Sequence, residues 1–134
     1  MVVQSSNLKS QKCNSKVKSE FRARCYNYSI MIIKALRALP DEPIYRVLSN
    51  QLLRSATSIG ANIVEAKSAS SKRDYIKYYE IALKSANESK YWLGLFRDGL
   101  DMNKAEINAL LKENTEIANI LASSVLTMKG KKQV

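Results

Sequence analysis

Residues 51–92 read QLLRSATSIGANIVEAKSASSKRDYIKYYEIALKSANESKYW, two long helical patterns joined by a short Ser-rich break. Apolar residues that recur every three or four positions can share one side only if the backbone is helical. This block constrains the fold more than any other part of the chain. The rest of the sequence agrees with it: 4 Gly and 2 Pro in 134 residues leave few places for hairpin turns, which argues against an all-β fold. A chain of this length with 46% hydrophobic residues suffices for one domain with its own core and is too short for two.

Period and punctuation predict four helices, near residues 20–39, 42–67, 71–98 and 103–128. In the first, Phe21, Cys25, Tyr28, Ile32, Ala35 and Leu39 alternate at steps of four and three, and Pro40 ends it. Asp41 or Glu42 caps the second, with Pro43 tolerated in its first turn. Its seam runs through Ile44, Leu48, Leu52, Ser55, Ile59 and Asn62 or Ile63. Ser71 with Asp74, and Asn103 with Glu106, have the spacing of capping boxes for the third and fourth. Tyr75, Tyr79, Ala82, Ala86, Leu93 and Phe96 mark one side of helix three. Ile107, Leu110, Asn114, Ile117, Leu121, Ser124 and Met128 mark one side of helix four. Short connections between such helices predict an all-α, up-down-up-down four-helix bundle over 20–128. Residues 1–19, polar and without periodicity, read as a disordered basic arm, and 129–134 as a basic C-terminal tail.

The net charge of +10 needs placing before it is interpreted. Lys9, Lys12, Lys16 and Lys18 precede the first acid, and Lys129, Lys131 and Lys132 follow the last; taking these seven from +10 leaves +3 for residues 20–128. The tails read either as arms for phosphate backbones or as plain solvated ends. No apolar segment long enough for a signal peptide or a membrane span is visible, which predicts a cytoplasmic protein with no membrane partner.

Chemistry is harder to find. Histidine is absent, and Cys13 and Cys25 have neither CxxC spacing nor a His partner, so no metal site or cofactor is expected. Asn62, Glu65 and Glu88 lie on seams, with Arg54 available as a cation. They read either as a polar pocket or as a network that fixes helix register or a subunit contact. Taken as a carboxylate pair, Glu65 and Glu88 lack a nucleophile or metal beside them, and no enzyme is expected.

The small residues Ser55, Ala56, Ser58, Gly60 and Ala61 are expected to face Ala82, Ser85, Ala86 and Ser89. Lys72, Arg73, Lys77 and Tyr78 mix cations with an aromatic, as single-strand binders do, and Arg22 and Arg24 join them from helix one. The bland reading of that cluster is a solvated face. Two belts carry apolar side chains around the helix rather than along one stripe. One holds Ile30, Met31, Ile32 and Ile33; the other holds Tyr91, Trp92, Leu93, Leu95 and Phe96. A bundle buries one stripe per helix, so Ile30, Met31, Ile33, Tyr91, Trp92 and Leu95 are candidate contacts for self-association.

These residues resemble the four-helix-bundle proteins encoded in intervening sequences of 23S ribosomal RNA genes. The likeness rests on LP at 39–40, QLLRSATSIGANIVEA at 51–66, SSKRDYIKYYEIALKSANES at 70–89 and YWLGLFRD at 91–98. It implies a cytoplasmic bacterial protein assembled as a ring of about five bundles, a homopentamer, and implies no catalytic activity. A more distant branch is similar to the accessory proteins of diversity-generating retroelements, which implies a reverse transcriptase, RNA or DNA as partner. The chain departs from the pattern at Ala66-Lys67-Ser68-Ala69-Ser70, where many relatives carry a turn with Gly and Arg. Two functions remain in play: an oligomeric bundle that binds nucleic acid or a ribonucleoprotein, and a protein-interaction module with no nucleic-acid role.

Overall fold

In a computed structural model, the backbone is described over residues 2–130 and side chains over 15–130. Four helices, α1 (Val2–Arg37), α2 (Pro43–Ala66), α3 (Lys72–Gly99) and α4 (Lys104–Met128), account for the regular structure among the described residues, and there is no strand. The fold is all-α. Each helix packs on its sequence neighbours, most extensively α2 on α3 and α3 on α4, and α1 closes on α4. Among the described residues, backbone contacts are absent between α1 and α3 and between α2 and α4, so these pairs occupy opposite corners of a bundle.

The predicted seams form the core. Phe21, Cys25, Tyr28, Ile32 and Ala35 from α1 are buried with Leu52, Ile59 and Ile63 from α2. From α3 come Tyr79, Ala82, Ala86, Leu93 and Phe96, and from α4 Ile107, Leu110, Ile117 and Leu121. Register follows from hydrogen bonds. The Ser55 and Ser89 hydroxyls meet at 2.8 Å and those of Ser58 and Ser85 at 3.0 Å, so α2 and α3 run in opposite directions. Such short side chains let the two backbones approach closely.

Several local expectations change. Ile44 is 54% exposed and Tyr45 is buried in its place. The spacing 45, 48, 52, 55, 59 alternates threes and fours, whereas 44, 48, 52 drifts off the stripe. Glu42 occupies the N-cap of α2 but makes no side-chain cap bond, while Asp41 pairs with Arg46. Ser71 and Asn103 do cap, accepting from the Asp74 and Glu106 amides at 3.1 Å. The Asp74 carboxylate, however, takes the Ser70 hydroxyl at 2.9 Å instead of closing a box on Ser71.

Residues 2–19, expected as a disordered arm, continue α1. No Gly or Pro precedes Pro40, so nothing in the sequence stops the helix from propagating toward the N-terminus. Side chains 15–20 are all exposed, and among the described side chains the first in the core is Phe21. Of the predicted tail, Lys129 and Gly130 are described, and residues 131–134 lie outside the described residues.

Gly60 is buried against α1 rather than α3. A Cβ at this position would sit 3.5 Å from the Cys25 Cβ, an ordinary van der Waals contact. Gly60→Ala is therefore expected to raise the unfolding free energy by about 0.5–1 kcal/mol through helix propensity. Urea denaturation measures it.

Candidate basic-end site

The bundle has chemically unlike ends. At the end where α2 passes into α3, the exposed side chains of Lys18, Lys72, Arg73 and Lys129 come together around Tyr75 and Met128. Lys129 Nζ is held by Glu80 at 2.7 Å. Lys72, Arg73 and Lys77 have no acid within ion-pair distance among the described residues, and neither has the half-buried Arg22. Lys18 Nζ lies over the Tyr75 ring, 5.0 Å from its centroid. That ring stacks on Tyr79 with centroids 4.9 Å apart, and the Tyr75 hydroxyl donates to the Tyr79 hydroxyl at 3.1 Å.

Beneath Lys18 is a cavity of about 440 Å³, walled by Phe21, Tyr75, Tyr79, Ile120 and Met128, with Ser123, Ser124 and Thr127 along α4. Two more hollows adjoin it. One shares Lys18, Tyr75 and Met128 and adds Lys72, and the next holds Lys72, Arg73, Ile76 and the Glu80–Lys129 pair. The opposite end carries Asp41, Glu42, Asp98, Asp101 and Glu106 among its own cations, and there charge is balanced.

Not every predicted cation is available. Arg24 reaches α4, donating to Glu113 at 2.6 and 2.9 Å and to Glu116 at 2.6 Å. Its charge is neutralised within the fold. Tyr78 is half-buried against the core instead of exposed; Tyr26 and Tyr91 are the tyrosines that face out, at 68% and 62%. Lys18 and Lys129, counted in the sequence as tail charges, belong to the site. Extending the Phe21 stripe back by one step of three would have found Lys18.

The polar set divides into two groups. Arg54 bonds to Gln51 and to Glu88, and Glu88 also accepts the Trp92 indole N–H at 2.9 Å. The Trp92 and Arg54 hydrogen bonds hold the Glu88 carboxyl below its usual range. Asn62 instead donates to the Ser58 carbonyl and hydroxyl at 2.8 and 3.0 Å, and Glu65 stands exposed outside both groups. Deep in the core is a group the sequence reading did not assemble. Asn114 accepts from the Tyr28 hydroxyl at 2.8 Å and donates to the Ala86 carbonyl at 2.9 Å, joining α1, α4 and α3. Burial pushes the Cys25 thiol up to about 12, so it behaves as a small core side chain.

The Arg24 hydrogen bond likewise holds the Glu113 carboxyl below its usual range. A carboxylate with a depressed folded pKa stabilises the fold fully above its unfolded pKa, about 4.3, and ceases to do so as pH falls through the folded value. Stability is thus expected to decline below about pH 4.3. Arg24→Gln should remove part of that acid dependence and lower neutral-pH stability by about 1 kcal/mol. Thermal melts from pH 3 to 7 check both.

Among the described residues, no group of three or more His, Cys, Asp or Glu side chains could hold a metal ion, and no helix is long and apolar enough to cross a membrane. Fold and site together define a helical bundle with one basic end. The chain belongs to the family described as 23S rRNA-intervening sequence protein, whose profile matches residues 18–123. It is similar to the crystal structure of a protein of unknown function from the S23 ribosomal protein family of Bacteroides thetaiotaomicron VPI-5482. The two are 36% identical with a TM-score of 0.73, over 78% of this chain and 97% of that one. Comparison with curated proteins gives no match.

Proposed function

We propose that the protein is a non-enzymatic, up-down-up-down bundle that assembles into a closed ring and holds nucleic-acid phosphates, free or within a ribonucleoprotein, at its basic end. The observation that carries this reading is the gathering of Lys18, Lys72 and Arg73 at one end with no acid paired to them. Unpaired cations set close together bind a polyanion by releasing its counterions, with little dependence on sequence. The reversed registers of α2 and α3, and of α3 and α4 through Asn114–Ala86 and Lys129–Glu80, support the alternation of helix direction.

Ring assembly is supported by where the apolar belts lie. Met31 and Ile33 are exposed on α1, and Tyr91 on α3, with Ile30, Trp92 and Leu95 half-buried beside them. Those helices occupy opposite corners. Tyr28 and Ala86 both bond to Asn114 and so mark one level of the bundle; both belts lie on the same side of that level, away from the basic end. Unlike patches on opposite corners at one height suit head-to-tail contact, which closes into a ring when the rotation per subunit allows. In such a ring the basic ends share one rim. The alternative of a pure assembly module draws on the same exposed apolar side chains and needs no role for the cations.

The salt dependence of binding tests the reading. Replacing Lys72, Arg73 and Lys77 together by Gln is expected to weaken binding of single-stranded RNA and to shallow the slope of log K against log salt by up to about 2, at roughly 0.7 per phosphate contact. An unchanged slope would leave the assembly module as the better account.

A further inference from the structure

We propose that the cavity bounded by Phe21, Tyr75, Tyr79 and Met128 takes one unpaired nucleobase of a bound strand, with the flanking phosphates on Lys18 and Lys72. The inference rests on the phosphate-binding reading above and adds a base site to it. At about 440 Å³ the cavity falls within the range of small-ligand pockets, and its walls are mainly aromatic and aliphatic. Tyr75 is already stacked on Tyr79, and Lys18 lies against the Tyr75 ring. Lys18 is exposed on a flexible stem, so its ammonium can leave the ring for a phosphate while a base takes its place. The exchange leaves both groups satisfied: the ring keeps a stacking partner and the cation gains a charged one.

Two features favour a strand over a single-headed amphiphile. The unpaired cations continue past the cavity, from Lys18 to Lys72 and Arg73, as the repeating charges of a phosphodiester chain require. Among the described residues lining these adjoining hollows the one acid, Glu80, is already paired with Lys129, so their free charge is all positive. The α4 side offers the short hydroxyls of Ser124 and Thr127, which can meet the edge of any base. The site therefore distinguishes the presence of a base from its absence, not one base from another.

Fluorescence anisotropy on the full-length protein at low salt tests this with two ten-nucleotide strands of equal phosphate number, one with bases and one abasic. The base-bearing strand is expected to bind about tenfold tighter, within the range for a single stacked base. Tyr75→Leu should abolish that advantage, so that the two strands bind alike. Thr127→Trp, a substitution at an exposed position on the cavity's α4 rim that fills the space a base would take, should do the same. Equal affinity of both strands for the unaltered protein would overturn the base site while the phosphate reading stood. Failure of both strands to bind would remove the base site and the phosphate reading together. Displacement of the strand by free adenosine monophosphate at a matching nucleotide concentration would overturn the assignment to a strand and give the cavity to a mononucleotide.

Discussion

Asn114→Ala is expected to cost about 2–4 kcal/mol of unfolding free energy, because it opens a cavity and leaves a buried hydroxyl unpaired at once. Asn114 and Tyr28 are both fully buried, and the bond between them joins α1 to α4 while the Asn114 amide bonds to α3. Without the Asn114 carbonyl oxygen, the Tyr28 hydroxyl loses its acceptor in a place that water does not reach. Tyr28→Phe should cost less, about 1–2 kcal/mol, since it leaves only the amide oxygen unmatched. The double substitution Tyr28→Phe with Asn114→Leu should recover much of the loss, because it removes both polar partners and refills the volume. Chemical denaturation of the unaltered protein, Tyr28→Phe, Asn114→Leu and the double variant closes a double-mutant cycle and gives the coupling, expected to exceed about 1 kcal/mol.

The second large effect concerns assembly. Tyr91→Glu or Met31→Glu is expected to convert the proposed ring to single chains, by placing a charge on one of the two apolar belts. Both side chains are exposed in the protomer, so the fold itself has no reason to fail. Light scattering at tens of micromolar should report the protomer mass for either variant and a multiple of it for the unaltered protein. The melting temperature of the variants should become independent of concentration, because assembly no longer adds to stability by mass action. Either substitution alone should suffice, since a head-to-tail contact uses one belt from each subunit. An unaltered protein that is monomeric at this concentration would remove the ring.

The stripes were legible because burial along a helix depends on period alone, and period is written in the chain. All six stripe positions predicted for the first helix, Phe21 to Leu39, pack into or against the core, although α1 itself ends at Arg37. What depends on the register between helices was not legible. Arg24 is 89 positions from Glu113, and nothing local in either segment says they meet. The same holds for Tyr28 and Asn114, which the sequence placed on two stripes without pairing them. Lys18 and Lys129 were hidden for another reason. They sit where polar composition suggests a solvated tail, yet the helices that carry them are long enough to reach the same end of the bundle as Lys72. Trp92 shows a third limit: an apolar ring assigned to a subunit contact also donates to Glu88 within the protomer.

The location of the cations, rather than their number, is the central claim, and a charge-matched comparison tests it most directly. One variant replaces Lys18, Lys72 and Arg73 at the basic end by Gln; the other replaces Lys34, Arg37 and Lys104 at the opposite end. Both lose three positive charges, and all six side chains are exposed. Anisotropy titrations with single-stranded RNA at one low salt concentration should show the first variant weakened by at least tenfold and the second by less than threefold, as the loss of about three specific contacts against a diffuse change of net charge predicts. Equal weakening of the two would show that only net charge matters, and would contradict a binding site at the basic end.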